Sequence, residues 1–348
     1  MISMWASKKR FNYLTSFLFT LFSLLFSTVG LSQVKIELGI KSASKGYMGT
    51  NKVSSDNDRE LARYHRDKRE RRRGRQSKKT FNIEDRAQRR PRSCEICKTM
   101  EGFVPMSAIS SVVQAMVGKS LIFDKWKAVE IQKSRGVVET GLSPKFIGGA
   151  DCPEIDSETW AIDYSHKRPW PALHKGIDIP QRHGTPILAV ASGRVVGKFK
   201  NKGNRKGIEV MIRHSPKQTG LPFWTYSQYT HLLSMSPLTI GQSVKIGQEV
   251  GKTSNSGKMG RRLRRDALHF AILYSKQSAW SNNGRFVAPK DGYWMDPNAF
   301  YKMDPPFDSH SIVKLPEGQK GVPVPYAKTD GALVPPSTQR IWPYPCSQ

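Results

Sequence analysis

Apolar and polar positions fall along this chain in distinct textures. Residues 11–30, FNYLTSFLFTLFSLLFSTVG, form a nearly unbroken apolar stretch behind Lys8, Lys9 and Arg10. Residues 33–58 are mixed and polar, and residues 59–93 hold 15 Lys or Arg against 5 acids with almost no large apolar side chains. Such a run cannot bury enough surface to offset its ordering entropy, so a solvated helix or disorder is expected there. Residues 103–134 carry apolar side chains at mixed three- and four-residue intervals, which predicts one or two short amphipathic helices. From about residue 150 the texture changes. Runs such as Thr185–Val190, Gly207–Ile212 and Ser243–Ile246 alternate with Gly and Asn turns, predicting closely spaced antiparallel strands. After Tyr301 the chain is proline-rich, from Pro305 to Pro345, and an extended tail that wraps the domain or dangles is expected.

These textures predict a mainly β protein: a compact antiparallel β domain with an N-terminal helical and basic segment and a Pro-rich C-terminal tail. The expected organisation is 1–32 a signal peptide or anchor, 33–102 a polar and strongly basic linker, and 103–149 a short helical spacer. The β domain follows at 150–301, and 302–348 form the C-terminal extension. Basic residues, an apolar core and the small-residue end Gly30-Leu31-Ser32 read as a secretory signal cut after Ser32. The same stretch approaches the length that spans a bilayer, so a membrane anchor is the second reading. Either way the rest of the chain is expected outside the cytoplasm, in the periplasm or cell envelope.

Charge then narrows the partners. The 348 residues hold 56 Lys and Arg and 28 Asp and Glu, a formal net charge of +28, and such a field favours polyanions. For an exported chain this points to anionic envelope polymers, bound through residues 59–93, and away from nucleic acid. Four cysteines fit an oxidising compartment, and their three pairings stay open. Within Cys94-Glu95-Ile96-Cys97 a structural disulfide is favoured over a redox or zinc motif, and a bond between Cys152 and Cys346 would tie the tail to the start of the β domain.

The residues that carry chemistry are His174-Lys-Gly-Ile-Asp178, Tyr229-Thr-His231-Leu232 and Leu268-His269-Phe270. In an extended segment, side chains four apart point to one side, so His174 and Asp178 can converge on one ion. Two imidazoles and one carboxylate leave one tetrahedral position open, as a hydrolytic zinc requires. Between these motifs lie Gly184-Thr185-Pro186, Ala191-Ser192-Gly193-Arg194-Val195-Val196, His214 and Gly241–Gly251, and Trp294-Met-Asp-Pro297 comes after them.

That ordered set resembles the lysostaphin-type, or LytM-type, zinc metallopeptidases that cleave peptide cross-links in peptidoglycan, over about residues 170–300. The resemblance implies a compact antiparallel β fold with a groove, one zinc ion, and peptidoglycan as the partner. It implies His174, Asp178 and His269 as metal ligands and His231 as the catalytic imidazole. It gives His214 a structural use at a strand end, while His183 reads as a turn residue.

One position departs from the pattern. The family's last motif is usually His-x-His, and here it reads Ala267-Leu268-His269. On a strand, positions 267 and 269 face the same side, so an imidazole is missing beside the ligand. The preceding run Lys258–Asp266 is long and basic. Arg264 or Arg265 could reach an oxyanion and Asp266 could act as base, or the run is a solvated loop that holds the wall electrostatically. The alternative to an active endopeptidase is a catalytically impaired wall-binding or regulatory protein that retains its metal.

Overall fold

The computed structural model describes residues 94–118, 125–154, 163–166, 172–201, 205–258 and 265–347. The readings of residues 1–32 as a signal or anchor, of the basic run 59–93 and of Arg264 lie outside the described residues. No helix among the described residues is long and apolar enough to cross a membrane.

Strands form on the three β-branched runs read from the sequence, and others form in the expected helical spacer and in the proline-rich tail. They are β1 (Ser143–Phe146), β2 (Ile177–Pro180), β3 (Pro186–Leu188), β4 (Gly193–Asn201), β5 (Gly207–His214), β6 (Trp224–Thr230), β7 (Ser243–Val244), β8 (Glu249–Lys252) and β9 (Ala267–Ser275). Then come β10 (Trp280–Asn282), β11 (Val287–Pro289), β12 (Tyr293–Met295), β13 (Gly321–Val324), β14 (Tyr326–Lys328), β15 (Leu333–Val334) and β16 (Pro345–Cys346). The main sheet is antiparallel, ordered β12-β9-β6-β5-β4-β7. β2 and β12 share one edge of β9, pairing with its first and second halves respectively. The protein is mainly β.

β5, β6 and β9 are buried along nearly their whole length, because both faces of the sheet are covered. Tyr226, Tyr229, Phe270, Trp280, Trp294 and Phe300 are among the largest side chains removed from water. Each such ring contributes about 1.5–3 kcal/mol of burial. The predicted helical stretch folds as α2 (Ser111–Val117) and α3 (Lys125–Ser134), after a short α1 (Glu95–Lys98). Ser110 caps α2 by accepting from the Val113 amide at 3.3 Å. Val113, Met116 and Val117 of α2 join the core, and Phe103 pairs with Trp280 edge-on at 5.4 Å.

The proline-rich tail wraps. Its prolines remove amide donors, so it pairs only in short pieces. β13 runs parallel to β1, and β14 is flanked by β15 and β16. Ile341 donates to the Val190 carbonyl and Leu188 to the Pro343 carbonyl, both at 2.8 Å, so the tail covers the free edge of β3. Trp342 is fully buried and its indole donates to the Pro153 carbonyl at 2.7 Å. The cysteines pair as Cys94–Cys97 and Cys152–Cys346, the second closing a loop of 194 residues. A cavity of about 330 Å³ opens beside it, bounded by Asp151, Gln181, Thr185, Thr329, Tyr344 and Ser347.

Asp296 is buried, takes a short hydrogen bond from the Thr140 hydroxyl, and accepts from the Asn298 amide at 2.8 Å. Burial raises its carboxyl to about 7 despite these bonds, with Asp163 adding to the rise. The unfolded carboxyl ionises near 3.9, so between about pH 4 and 7 the native state holds the extra proton and stability falls as pH rises. Asp296→Asn should therefore flatten the pH dependence of stability, removing a wild-type loss of about 2.7 kcal/mol between pH 5 and 7. An unchanged slope would count against the buried neutral carboxyl. Removing the Cys152–Cys346 bond as the double alanine variant should cost about 5 kcal/mol on the chain-entropy scale for a loop of this length. Thermal melts of oxidised and variant protein check it.

Candidate metal centre

Three side chains meet at the edge of the main sheet. Asp178 of β2 stands directly opposite His269 of β9 in the strand register, so their side chains share a face. His174 lies before β2, past a bend at Gly176, so it does not extend the strand as the sequence spacing suggests. It arrives by a different route: its amide donates to the His166 carbonyl at 3.0 Å and its carbonyl accepts from the Ser165 amide at 2.9 Å. Gly176 permits this approach. A Cβ there would sit 2.2 Å from the Phe270 carbonyl oxygen and 2.8 Å from the Ala271 Cβ.

The donor atoms are His174 Nε2, Asp178 Oδ1 and His269 Nδ1. They are separated by 2.8 Å between the imidazoles, 2.8 Å from His269 to Asp178 and 3.2 Å from His174 to Asp178. Tetrahedral zinc with ligand bonds near 2.0–2.1 Å would hold such atoms about 3.3 Å apart, so slight opening of the triangle admits the ion. Proton placement agrees with this fit. His174 Nδ1 donates to the Asp163 carbonyl at 3.0 Å, which leaves Nε2 as a bare lone pair aimed at the triangle. Burial alone would raise the Asp178 carboxyl, but His174 and His269 against it hold it well below the usual carboxylate range. An anionic carboxylate and facing imidazole nitrogens form a donor set suited to one divalent cation, and it is the one such cluster among the described residues.

His231 follows β6 and is buried, its ring centroid 5.9 Å from that of His269. Its Nδ1 donates to the carbonyls of Lys206 at 2.9 Å and Ser256 at 3.0 Å, so Nε2 carries the lone pair. His231 has a φ of 70°, a left-handed conformation that costs a residue with a Cβ about 1–2 kcal/mol. The Leu232 amide, donating to the Ile208 carbonyl at 3.1 Å, helps hold the chain there.

Of the remaining histidines, His214 is fully buried, donating from Nδ1 to the Ser192 carbonyl at 2.7 Å and accepting at Nε2 from Ser227 at 2.8 Å. Burial lowers its pKa to about 4, so it is neutral and braces β4, β5 and β6. His183 does lie in a turn, where it pairs with Asp266 at 3.1 Å and is 56% exposed. That pair stands at the end of the β2–β9 ladder, next to the Pro180–Ala267 position. Ala267 shares a face with His269 and offers only a methyl group. Arg265 is partly buried.

The backbone carbonyls of Asp163, Lys206 and Ser256 orient two imidazoles, and no residue-type signal announces them. A visible signal was the single acid within the apolar run of β5, Glu209, which is 1% exposed.

Residues 172–284 match the model of Peptidase family M23. That segment is similar to the M23 peptidase domain. Among relatives, an "uncharacterized metalloprotease" of Haemophilus influenzae is 37% identical over 84 residues, covering 24% of this chain and 16% of its own. The "uncharacterized lipoprotein YgeR" of Escherichia coli is 29% identical over 160 residues, covering 44% of this chain and 57% of its own. The chain thus spans less than two thirds of the length of either. Among solved structures, the catalytic domain of lysostaphin from Staphylococcus simulans is 22% identical with a TM-score of 0.26, covering 35% of this chain and 84% of its own. A zinc-containing peptidase from Vibrio cholerae is 24% identical with a TM-score of 0.28, covering 37% and 38%.

In the M23 domain the ligand triangle depends on the close contact at Gly176. Gly176→Ala should separate β2 from β9 and weaken divalent-cation binding at this cluster at least about ten-fold, the scale of a displaced supporting shell. Competition with a chromogenic chelator measures it, and unaltered affinity would show that His174 reaches the triangle without this contact.

Proposed function

We propose that His174, Asp178 and His269 hold one zinc ion and that the protein is a metallo-endopeptidase acting on peptidoglycan cross-link peptides. The observation that carries this reading is the triangle of donor atoms 2.8–3.2 Å apart within an M23 domain. Envelope location, bound to anionic polymers through residues 59–93, belongs to the same proposal. It is supported by the charge of +28 and by the lipoprotein description of one relative.

When bound, zinc would supply a Lewis acid and lower the pKa of water from about 15.7 to near 7. The chain's own residues do the rest. His174 and His269 are held by backbone and strand register, so their nitrogens need no reorganisation. His231, with its Nδ1 proton committed to two carbonyls, offers the Nε2 lone pair, which takes the proton of the attacking water and returns it to the leaving amine. Burial of these side chains excludes competing solvent and strengthens each electrostatic contact.

Ala267 favours a second reading, a wall-binding protein that keeps its metal for stability. One set of measurements separates the two. The purified chain should bind one zinc and cleave muropeptides, with His231→Ala lowering kcat about 10²–10⁴-fold at unchanged zinc content. Ala267→His should raise kcat at least about ten-fold. Zinc binding without cleavage, with cleavage gained only in Ala267→His, would establish the second reading; absence of metal from both proteins would overturn the ligand assignment.

A further inference from the structure

Glu209 stands in the same transverse row as the metal centre. Asp178 pairs with His269, His269 with Thr230, and Thr230 with Glu209, across four neighbouring strands. Directly paired residues share a face, so an acid lies two strands in from the ligands. Its side chain is wholly buried. Glu209 Oε2 accepts from Gln228 Nε2 at 2.9 Å and faces Lys206 Nζ at 3.3 Å, while Oε1 has no hydrogen-bond partner among the described residues. Burying a carboxylate with so few partners costs several kcal/mol. Apolar packing at this position would be cheaper, as its β5 neighbours Val210, Met211 and Ile212 show.

Lys206 links this acid to the site. Its ammonium faces Glu209, and its own carbonyl is one of the two that take the Nδ1 proton of His231. The other carbonyl, Ser256, belongs to a loop clamped onto the same turn. Ser256 Oγ accepts from the Ile208 amide at 3.1 Å, and Gly207, at a φ of 71°, lies so close that a Cβ would come within 2.4 Å of the Ser256 backbone. The ring of His231 is therefore held by two carbonyls whose spacing depends on where Lys206 sits. His231 is itself in a left-handed conformation, so these external contacts maintain its orientation.

We infer that the Glu209–Lys206 ion pair is a positioning device: it fixes the Lys206 carbonyl and so keeps the His231 proton on Nδ1 and the lone pair on Nε2. The inference rests on the metallopeptidase reading for its consequence in turnover, but the hydrogen bond it describes can be observed without turnover. Glu209 and Lys206 act through His231 and touch no reacting atom.

The test uses the full ¹⁵N-labelled, zinc-loaded chain with Glu209→Gln, Lys206→Met and Lys206→Arg, and with the double variant that combines Glu209→Gln and Lys206→Met. The first readout is the solvent-exchange rate of the His231 Nδ1–H proton by NMR; the second is kcat and KM on a cross-linked muropeptide. Glu209→Gln and Lys206→Met should each speed exchange and lower kcat about ten-fold, as supporting partners of site residues do, with KM and zinc content unchanged. Lys206→Arg, which keeps the charge, should stay near wild type, and the double variant should lose no more than either single one. Unchanged exchange in both single variants, or losses that add in the double variant, would overturn the proposal. If the wild-type chain cleaves no muropeptide, the peptidase reading fails by itself, and the exchange rates still decide the positioning role. Should Glu209→Gln not fold, Lys206→Met against Lys206→Arg gives the same comparison from a side chain that is 33% exposed.

Discussion

The pairing of β2 with β9 is the constraint on which the site depends. Asp178 meets His269 in that ladder, and Pro180 meets Ala267 two residues on. A strand has a side-chain period of two, so a slip of one residue would turn Leu268 and Phe270 toward the site and His269 toward the core. Both of those apolar residues are fully buried. The apolar side chains on the far face of β9 thus hold the register that aligns Asp178 with His269, and core packing and the geometry of the candidate metal centre share one determinant. Gly176 completes it by letting the segment carrying His174 close onto the β9 backbone.

A short two-strand ladder at a sheet edge would fray unless something held it. The flanking segments pack around the neighbouring strands here. The tail runs along β3 and pairs through β13 with β1, and the Cys152–Cys346 bond joins the two flanks. The N-terminal helical stretch reaches the site region from the other side: Lys175, next to His174, donates to the Met116 carbonyl at 2.9 Å and lies over the Trp294 ring. Residues outside the M23 segment therefore complete the core of the domain and bear on the ligand loop.

Much of this was legible in the residues, and what was not has a physical cause. Short β-branched runs and turn glycines pointed to the antiparallel strands, and the resemblance carried by the ordered motif series pointed to His174, Asp178 and His269 together. The extended-strand reading of the first two failed locally, because Gly176 bends the chain, and periodicity does not report a bend that a neighbouring strand demands. The tail was ambiguous because prolines read alike whether an extended segment is solvated or docked; burial of Trp342 and Tyr344 decides for docking. Orientation of the imidazoles was invisible, since the acceptors at Asp163, Lys206 and Ser256 are main-chain carbonyls that every residue possesses.

Those carbonyls give the site a common logic. His174 and His231 each donate one ring proton to backbone and so present the opposite nitrogen as a lone pair. Main-chain acceptors do not titrate and move little, so the tautomers are set by folding rather than by solvent. The same device serves His214, whose Nδ1 is committed to Ser192 and whose role is structural. A fixed tautomer is therefore not by itself a mark of catalysis. His231 differs from His214 in that its acceptors lie on two turns, one of which carries the Lys206–Glu209 ion pair. A structural histidine needs no such support, because the strands on either side already fix it.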